Sequence, residues 1–386
     1  MKNVLEWLEN SALNFPDKVV YESNNIQLTF SQVQDSSKRI GSAILALNKG
    51  RKPIATMLDR DVRTITAYLG IVYSGCAYAP IDSSLPDDRI ISILDTLNCE
   101  LLITNESHRK KIESIIANIG IKCSVMTYEE LENGKIDPKS LEEIRSEMVA
   151  NDPLYIIFTS GSSGRPKGVI TSHFSLINYI QAYSGVMGIT AEDRLGNQSP
   201  LDYIAAIRDI YIPLYKGAYS FIITKELFMQ PSKLVDMLNE KKITSVGWSA
   251  SALIVLSKMN IFRYGTIEHL KKICFSGSVL PAKVLREWQL NLPDADFVNQ
   301  YGPTEATASC TYYRCTHIVE ENERIPIGVP YNNYKVFLLK PDNTIAQNGE
   351  VGEICVGGPV LALGYYGDSE RTSKSFIQNP LHNNYI

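Results

Sequence analysis

The chain has 386 residues, enough for two or three folding units at about 150 residues each. Thirty-eight Lys and Arg against 42 Asp and Glu leave a formal charge of −4, which speaks against a protein built to coat nucleic acid. With 44% hydrophobic and 21% charged residues, dominant disorder is excluded, and no apolar run approaches the roughly 20 residues of a membrane span.

The opening run MKNVLEWLEN has Glu6 and Glu9 inside it, so no secretory leader is expected. The seven cysteines are scattered, form no CxxC pair and fit no common zinc spacing. Reduced, buried thiols in a cytoplasmic protein are the expectation. Thr29 followed by Gln32 predicts a capping box, and Val33, Ile40, Ile44 and Leu45 recur at helical spacing until Gly50. Short apolar runs at residues 52–58, 101–104 and 154–159 predict buried strands. The hydrophilic stretch 127–147 predicts surface helix and loop. Strand patterns return at 218–224, 243–248 and 273–276, and strands alternating with helices predict an α/β architecture with largely parallel sheets. After residue 311 the texture changes. Runs 334–339 and 351–356, separated by Pro341-Asp342-Asn343 and paired glycines, predict a small β region. The expected division is therefore a first lobe over 1–192, a second over 193–310, and a β-rich region over 311–386.

The strongest local signal runs from the apolar strand at 154–158 into Thr159-Ser160-Gly161-Ser162-Ser163-Gly164-Arg165-Pro166-Lys167-Gly168 and on to a second strand at 169–171. Glycines let backbone N–H groups approach an anion, hydroxyls add donors, and Lys167 supplies a point charge. That combination suits a polyphosphate. It is not the Gly-Lys-Ser/Thr loop of kinases and GTPases, because Pro166 precedes the lysine and Gly168 follows it.

These residues resemble the phosphate-binding signature of the adenylate-forming superfamily, in particular the adenylation domains of nonribosomal peptide synthetases. Further segments agree in order: LTFSQV at 28–33, Tyr73-Ser74-Gly75-Cys76-Ala77-Tyr78-Ala79-Pro80-Ile81-Asp82, Asn299-Gln300-Tyr301-Gly302-Pro303-Thr304-Glu305, and Gly349-Glu350-Val351-Gly352-Glu353-Ile354 with Gly364-Tyr365-Tyr366. The resemblance implies two related α/β lobes and attack of a carboxylate on the α-phosphate of ATP. The product is an acyl-adenylate bound for a carrier-protein phosphopantetheine thiol. It implies that residues 159–168 hold the β- and γ-phosphates, that Thr304 donates to the α-phosphate and that Glu305 holds Mg²⁺. Tyr301 would stack on adenine, with Gly302 also among the nucleotide-binding residues, Asn299 would read the amino edge of the base, and Gly277 and Ser278 would line its pocket. Lys167, Thr304 and Glu305 are the implied catalytic residues. The chain stops before the family's Tyr-Arg-Thr-Gly-Asp-like stretch and its mobile C-terminal domain, so a large core of low activity is expected.

The acid-binding region departs from the family. The Phe-Asp-x-Ser segment, whose aspartate pairs with an α-ammonium, corresponds to Ser199-Pro200-Leu201-Asp202-Tyr203-Ile204. Aligned without a gap, Tyr203 stands on the aromatic residue and Ile204 on the aspartate. The α-ammonium partner is then missing. In an extended segment Asp202 would share a face with Ile204 and reach the same cavity from a displaced point, which favours a β-amino acid over an α-amino acid. A hydroxy, keto or aryl acid is the alternative. The remaining implied pocket positions are Ala205, Arg208, Gly247, Cys274, Ser276, Gln300, Ala308 and Ser309. Small residues at 247, 308 and 309 leave room for a sizeable side chain, and Arg208 either meets a second carboxylate of the substrate or snorkels outward. An acyl-CoA synthetase and a non-catalytic ATP-binding protein are the competing functions. No nucleic-acid or membrane partner is expected.

Overall fold

The computed structural model describes residues 2–24, 26–47, 50–159 and 165–381. Two largely parallel sheets dominate. The first has seven strands in the order Ser124–Thr127, Leu101–Thr104, Ile54–Met57, Tyr78–Pro80, Pro153–Thr159, Lys167–Ser172 and Gly364–Tyr365. Only its last two pairings are antiparallel. The second has nine: Ile26–Thr29, Val19–Ser23, Tyr219–Ile222, Arg194–Asn197, Ser245–Ser249, Lys272–Ser276, Asp296–Tyr301, Thr311–Cys315 and Val329–Pro330. The strands Ile54–Met57, Leu101–Thr104 and Tyr219–Ile222 are buried at every position, as strands covered on both faces by crossover helices must be.

The helices follow local chemistry. Thr29 accepts from the Gln32 amide while the Gln32 side chain returns to the Thr29 amide, so the capping box is formed and starts the helix Phe30–Ala46. That helix ends at Ala46, before Gly50. The stretch 127–147 carries the helices Tyr128–Glu132 and Pro138–Glu147. Between the sheets, buried tyrosines tie the halves together. Tyr68 stacks on Tyr78 at 4.3 Å, and the Tyr78 hydroxyl meets that of Tyr211 at 3.0 Å.

Sheet membership crosses the expected lobe boundaries. Val19–Ser23 and Ile26–Thr29 pair in the second sheet, where Tyr21 lies beside Ser220, although they precede every strand of the first. Thr311–Cys315 and Val329–Pro330 extend the second sheet rather than forming part of a separate β region. Gly364–Tyr365 returns to the edge of the first. Only Lys335–Leu339 and Glu353–Gly357 form a two-stranded sheet of their own. Strand pattern reports burial, not the identity of the neighbour, which explains the difference. Among the described residues no helix is long and apolar enough to cross a membrane.

Candidate functional site

The strands Pro153–Thr159 and Lys167–Ser172 form an antiparallel pair with Thr159 opposite Lys167. Ser160, Gly161, Ser162, Ser163 and Gly164 lie outside the described residues. The Thr159 hydroxyl is buried and finds no partner among the described residues, and its carbonyl accepts from Arg89 at 3.2 Å.

In the second sheet, Asp296–Tyr301 ends in Gly302, and a short 3₁₀ turn carries Thr304–Ala306. A Cβ on Gly302 would lie 2.5 Å from Ser309 Cα and 2.7 Å from the Cys310 nitrogen, so only glycine permits the chain to fold back here. Thr307 and Ala308 both adopt positive φ, +47° and +76°, a conformation costing on the order of 1–3 kcal/mol each for residues bearing a side chain. The turn thus stores strain beside the residues expected to act.

Lys167 and Glu305 form an ion pair, and the Tyr365 hydroxyl donates to the same Glu305 oxygen at 2.7 Å. Burial raises the Glu305 carboxyl, but bonds from Lys167 and Tyr365 outweigh it and hold the group below the usual range. Burial works against the Lys167 charge, and Glu305 more than restores it. The residues 360–366 stitch the two sides together. The Ala362 amide donates to the Glu305 carbonyl at 2.8 Å, Leu363 to Ile170 at 2.8 Å, and Tyr366 to Gly168 at 2.8 Å, while the Thr307 hydroxyl donates to Val360 at 2.7 Å. Tyr365 has no assigned role in the sequence reading. Its place in Gly364-Tyr365-Tyr366 was the available signal.

Around this cluster, Tyr301, Gly277 and Ser278 are exposed, and the space beside Gly277 is open. The Asn299 amide nitrogen donates to the Pro326 carbonyl at 2.7 Å. Among the described residues no group of three or more His, Cys, Asp or Glu is arranged to hold a metal.

The expected acid pocket separates into two places. Leu201 and Asp202 sit in a turn and Ile204–Ala206 in a 3₁₀ helix, so the segment is not extended and the shared-face premise fails. Ile204 is buried in the core, Tyr203 is 47% exposed, and Asp202 lines a cavity of about 580 Å³ with Arg60, Tyr68, Asp82, Lys225 and Ser249. This cavity opens at the carboxyl ends of strands from both sheets, where ligands of α/β proteins collect. Burial, then the neighbouring Asp82, push the Asp202 carboxyl up. Asp82, Arg60 and Tyr68 carry no role in the sequence reading, though Asp82 closes the quoted Ala-Pro-Ile-Asp run.

The second place is filled. Arg208 is 1% exposed and neither snorkels outward nor leaves the room expected at Gly247. Its guanidinium donates to the Gly247 carbonyl at 3.1 Å, the Ala205 carbonyl at 3.2 Å, the Cys274 sulfur at 3.3 Å and Gln300 Oε1 at 3.5 Å. A Cβ on Gly247 would lie 3.2 Å from the guanidinium carbon. Ser309 is buried, Ala308 is half-buried, and Ser276 is half-buried at the end of its strand. Trp248 points the other way, fully buried with its indole donating to Gly196 at 2.8 Å.

The chain is 25% identical over 382 residues to tyrocidine synthase 1 of Brevibacillus parabrevis, covering 98% of itself and 34% of that protein. It is 29% identical over 379 residues to the D-alanine–D-alanyl carrier protein ligase of Bacillus cytotoxicus, covering 97% and 73%. It spans about a third of the first relative and 7% of bacitracin synthase 1 of Bacillus licheniformis, which it matches at 29% identity. The fold matches the nonribosomal peptide synthetase FmoA3 in its α-methyl-L-serine-AMP-bound form with a TM-score of 0.88, at 22% identity, over 98% of this chain and 42% of that one. The N-terminal subdomain of Klebsiella oxytoca NpsA in complex with 3-hydroxybenzoyl-AMSN matches at 0.79 and 18% identity, over 98% and 92%. The family described as AMP-binding enzyme matches residues 8–366, and the chain belongs to it.

Proposed function

We propose that this chain uses ATP to activate a small carboxylic acid as an acyl-adenylate, which is then loaded onto a carrier-protein phosphopantetheine thiol. The acid's carboxylate forms a new bond to the α-phosphorus, the bond between that phosphorus and the bridging oxygen breaks, and pyrophosphate leaves. The observation carrying this reading is the meeting of Lys167, Glu305 and Tyr365 between the antiparallel pair and the 304–306 turn. Both reactants are anions, so charge neutralisation and alignment must supply most of the acceleration.

Lys167 would meet the β- and γ-phosphates, a role supported by its ion pair with Glu305, and the orphaned Thr159 hydroxyl would give the same anion a donor. Thr304 lies beside Glu305 and serves the α-phosphate. A single partly buried carboxylate fits Mg²⁺, which is ordinarily held by one or two carboxylates together with substrate phosphates. Bound there, the ion would offset phosphate charge. Because Asn299 spends its nitrogen on Pro326, its Oδ1 remains to accept from the adenine amino group, while the exposed ring of Tyr301 offers a stacking face. Gly277 and Ser278 border open space for the base.

For the acid itself, Asp202 supports an amino substrate whose ammonium lies further from the reacting carboxylate than in an α-amino acid, as in a β-amino acid. It is a partly desolvated carboxylate on a cavity wall facing Asp82. The buried apolar Ile204 favours a second reading, an acid with no amine. The relatives named as carrier-protein ligases support a carrier thiol over free coenzyme A as acceptor. ATP–pyrophosphate exchange over a panel of β-amino, α-amino, hydroxy and aryl acids tests the proposal. Exchange with none of them, under conditions where the protein is folded, would refute it.

A further inference from the structure

Arg208 is a buried cation that no carboxylate hydrogen-bonds, although the adjacent Asp209 acts on its charge through space. Its hydrogen-bond partners are two backbone carbonyls, an amide oxygen and the Cys274 thiol, which burial pushes up to about 11 and therefore keeps neutral. Asp209, the adjacent carboxylate, is held instead by the Asn197 side chain at 2.9 Å. A desolvated charge is costly unless another charge answers it.

Two more donors beside it are unused. Gln300 Nε2 is buried with no partner, and so is the Tyr331 hydroxyl, whose residue is 1% exposed and lies within the electrostatic reach of Arg208. Buried polar groups in folded proteins are overwhelmingly hydrogen-bonded, so two unpartnered donors in the surroundings of the Arg208 guanidinium call for an acceptor. Gly247, Cys274 and Gln300 stand on three adjacent strands of the second sheet, and Gln300 leads directly through Tyr301 and Gly302 to Thr304 and Glu305.

We infer that the acid activated here carries a second anionic group, a carboxylate distal to the reacting one, which Arg208 receives with Gln300 and Tyr331. This rests on the adenylation reading above. A side chain bearing an amide of the same shape leaves the guanidinium unanswered, and one bearing an ammonium is repelled.

The test is ATP–pyrophosphate exchange by the intact enzyme with isosteric pairs: glutarate against glutaramate, glutamate against glutamine, and β-glutamate against β-glutamine. In the preferred pair the anionic member should exceed its neutral partner in kcat/KM by about 30-fold or more, the range for a buried charge pair. Arg208→Gln should erase that ratio mainly through KM, and Arg208→Lys should restore part of it. Neutral members exchanging as well as the anionic ones, or some unrelated monocarboxylic acid outperforming all six, overturns the inference and leaves adenylation standing. Exchange with no acid in the wider panel overturns both. The wild-type ratios decide the matter even if the Arg208 variants do not fold.

Discussion

The Lys167 ammonium and the Glu305 carboxylate bond to each other across 138 positions of sequence, joining the antiparallel pair of one sheet to the turn beyond a strand of the other. Lys167→Ala should lower exchange activity by about 100-fold or more, the scale for a preorganised charge at a reacting phosphate. Because both side chains keep roughly a fifth of their surface in solvent, the stability change should stay near 1 kcal/mol or less. Losing Lys167 also frees the Glu305 carboxyl to titrate higher, so the acid limb of the pH–rate profile should move upward. An unchanged acid limb in the variant would separate the two groups functionally.

Gly302→Ala introduces a carbon 2.5 Å from Ser309 Cα, a backbone atom that cannot swing aside. Overpacking of this kind typically destabilises by about 1–3 kcal/mol, and the displaced turn carries Thr304 and Glu305 with it. Thermal unfolding should therefore fall by several degrees while exchange falls further than stability alone accounts for. Gly277→Ala is the control for crowding, since nothing stands within 4 Å of the added carbon. Its φ of +90° still imposes backbone strain on alanine.

His173 is buried and its ring nitrogen accepts from the Val4 amide at 3.4 Å. Burial lowers its titration from 6.5 to about 3. The unfolded chain then binds a proton that the native protein refuses. Stability from this site is full above about pH 6.5 and is lost as pH falls toward 3. The integrated effect is on the order of 5 kcal/mol. Asp209, pushed up by burial to about 6, acts in the opposite direction over part of the same window. The difference in denaturant midpoint between wild type and His173→Gln isolates the histidine. That difference should move against the wild type as pH drops from 6.5 to 4, and a constant difference would exclude this role.

Thr29→Ala removes the hydroxyl that accepts from Gln32 and leaves the first turn of Phe30–Ala46 without its reciprocal bond. A loss of about 1 kcal/mol in unfolding free energy is expected, measured by urea titration. Exchange kinetics should be unaffected, because this helix packs chiefly on Val62–Tyr73 and on the helices Tyr128–Glu132 and Pro138–Glu147.

Much of the architecture could be read from local pattern. The apolar run at 154–158 breaking into hydroxyls and glycines announced both the strand and its end at Thr159, and Thr29 with Gln32 announced a helix start that the structure contains. What escaped were relationships between distant segments. Nothing in residues 19–29 names Tyr219–Ile222 as their neighbour. An extended segment would put Asp202 beside Ile204, whereas Leu201 and Asp202 form a turn that sends the carboxylate to a cavity that Arg208 does not line. The vacancy inferred at Gly247 came from counting small residues, and the long side chain of Arg208 occupies it. Spacing reports which residues are small or charged; it does not report where a flexible side chain turns.

The paired strands Val19–Ser23 and Ile26–Thr29 reach their parallel neighbour only after a long stretch of further chain has been made: Tyr219 donates to Glu22 across 197 positions. At about 5–20 residues per second, a ribosome needs on the order of 10–40 s to supply that partner. For that interval two short strands wait with an open edge, so nascent-chain holdases and translation speed should govern the yield of folded protein more than its final stability does.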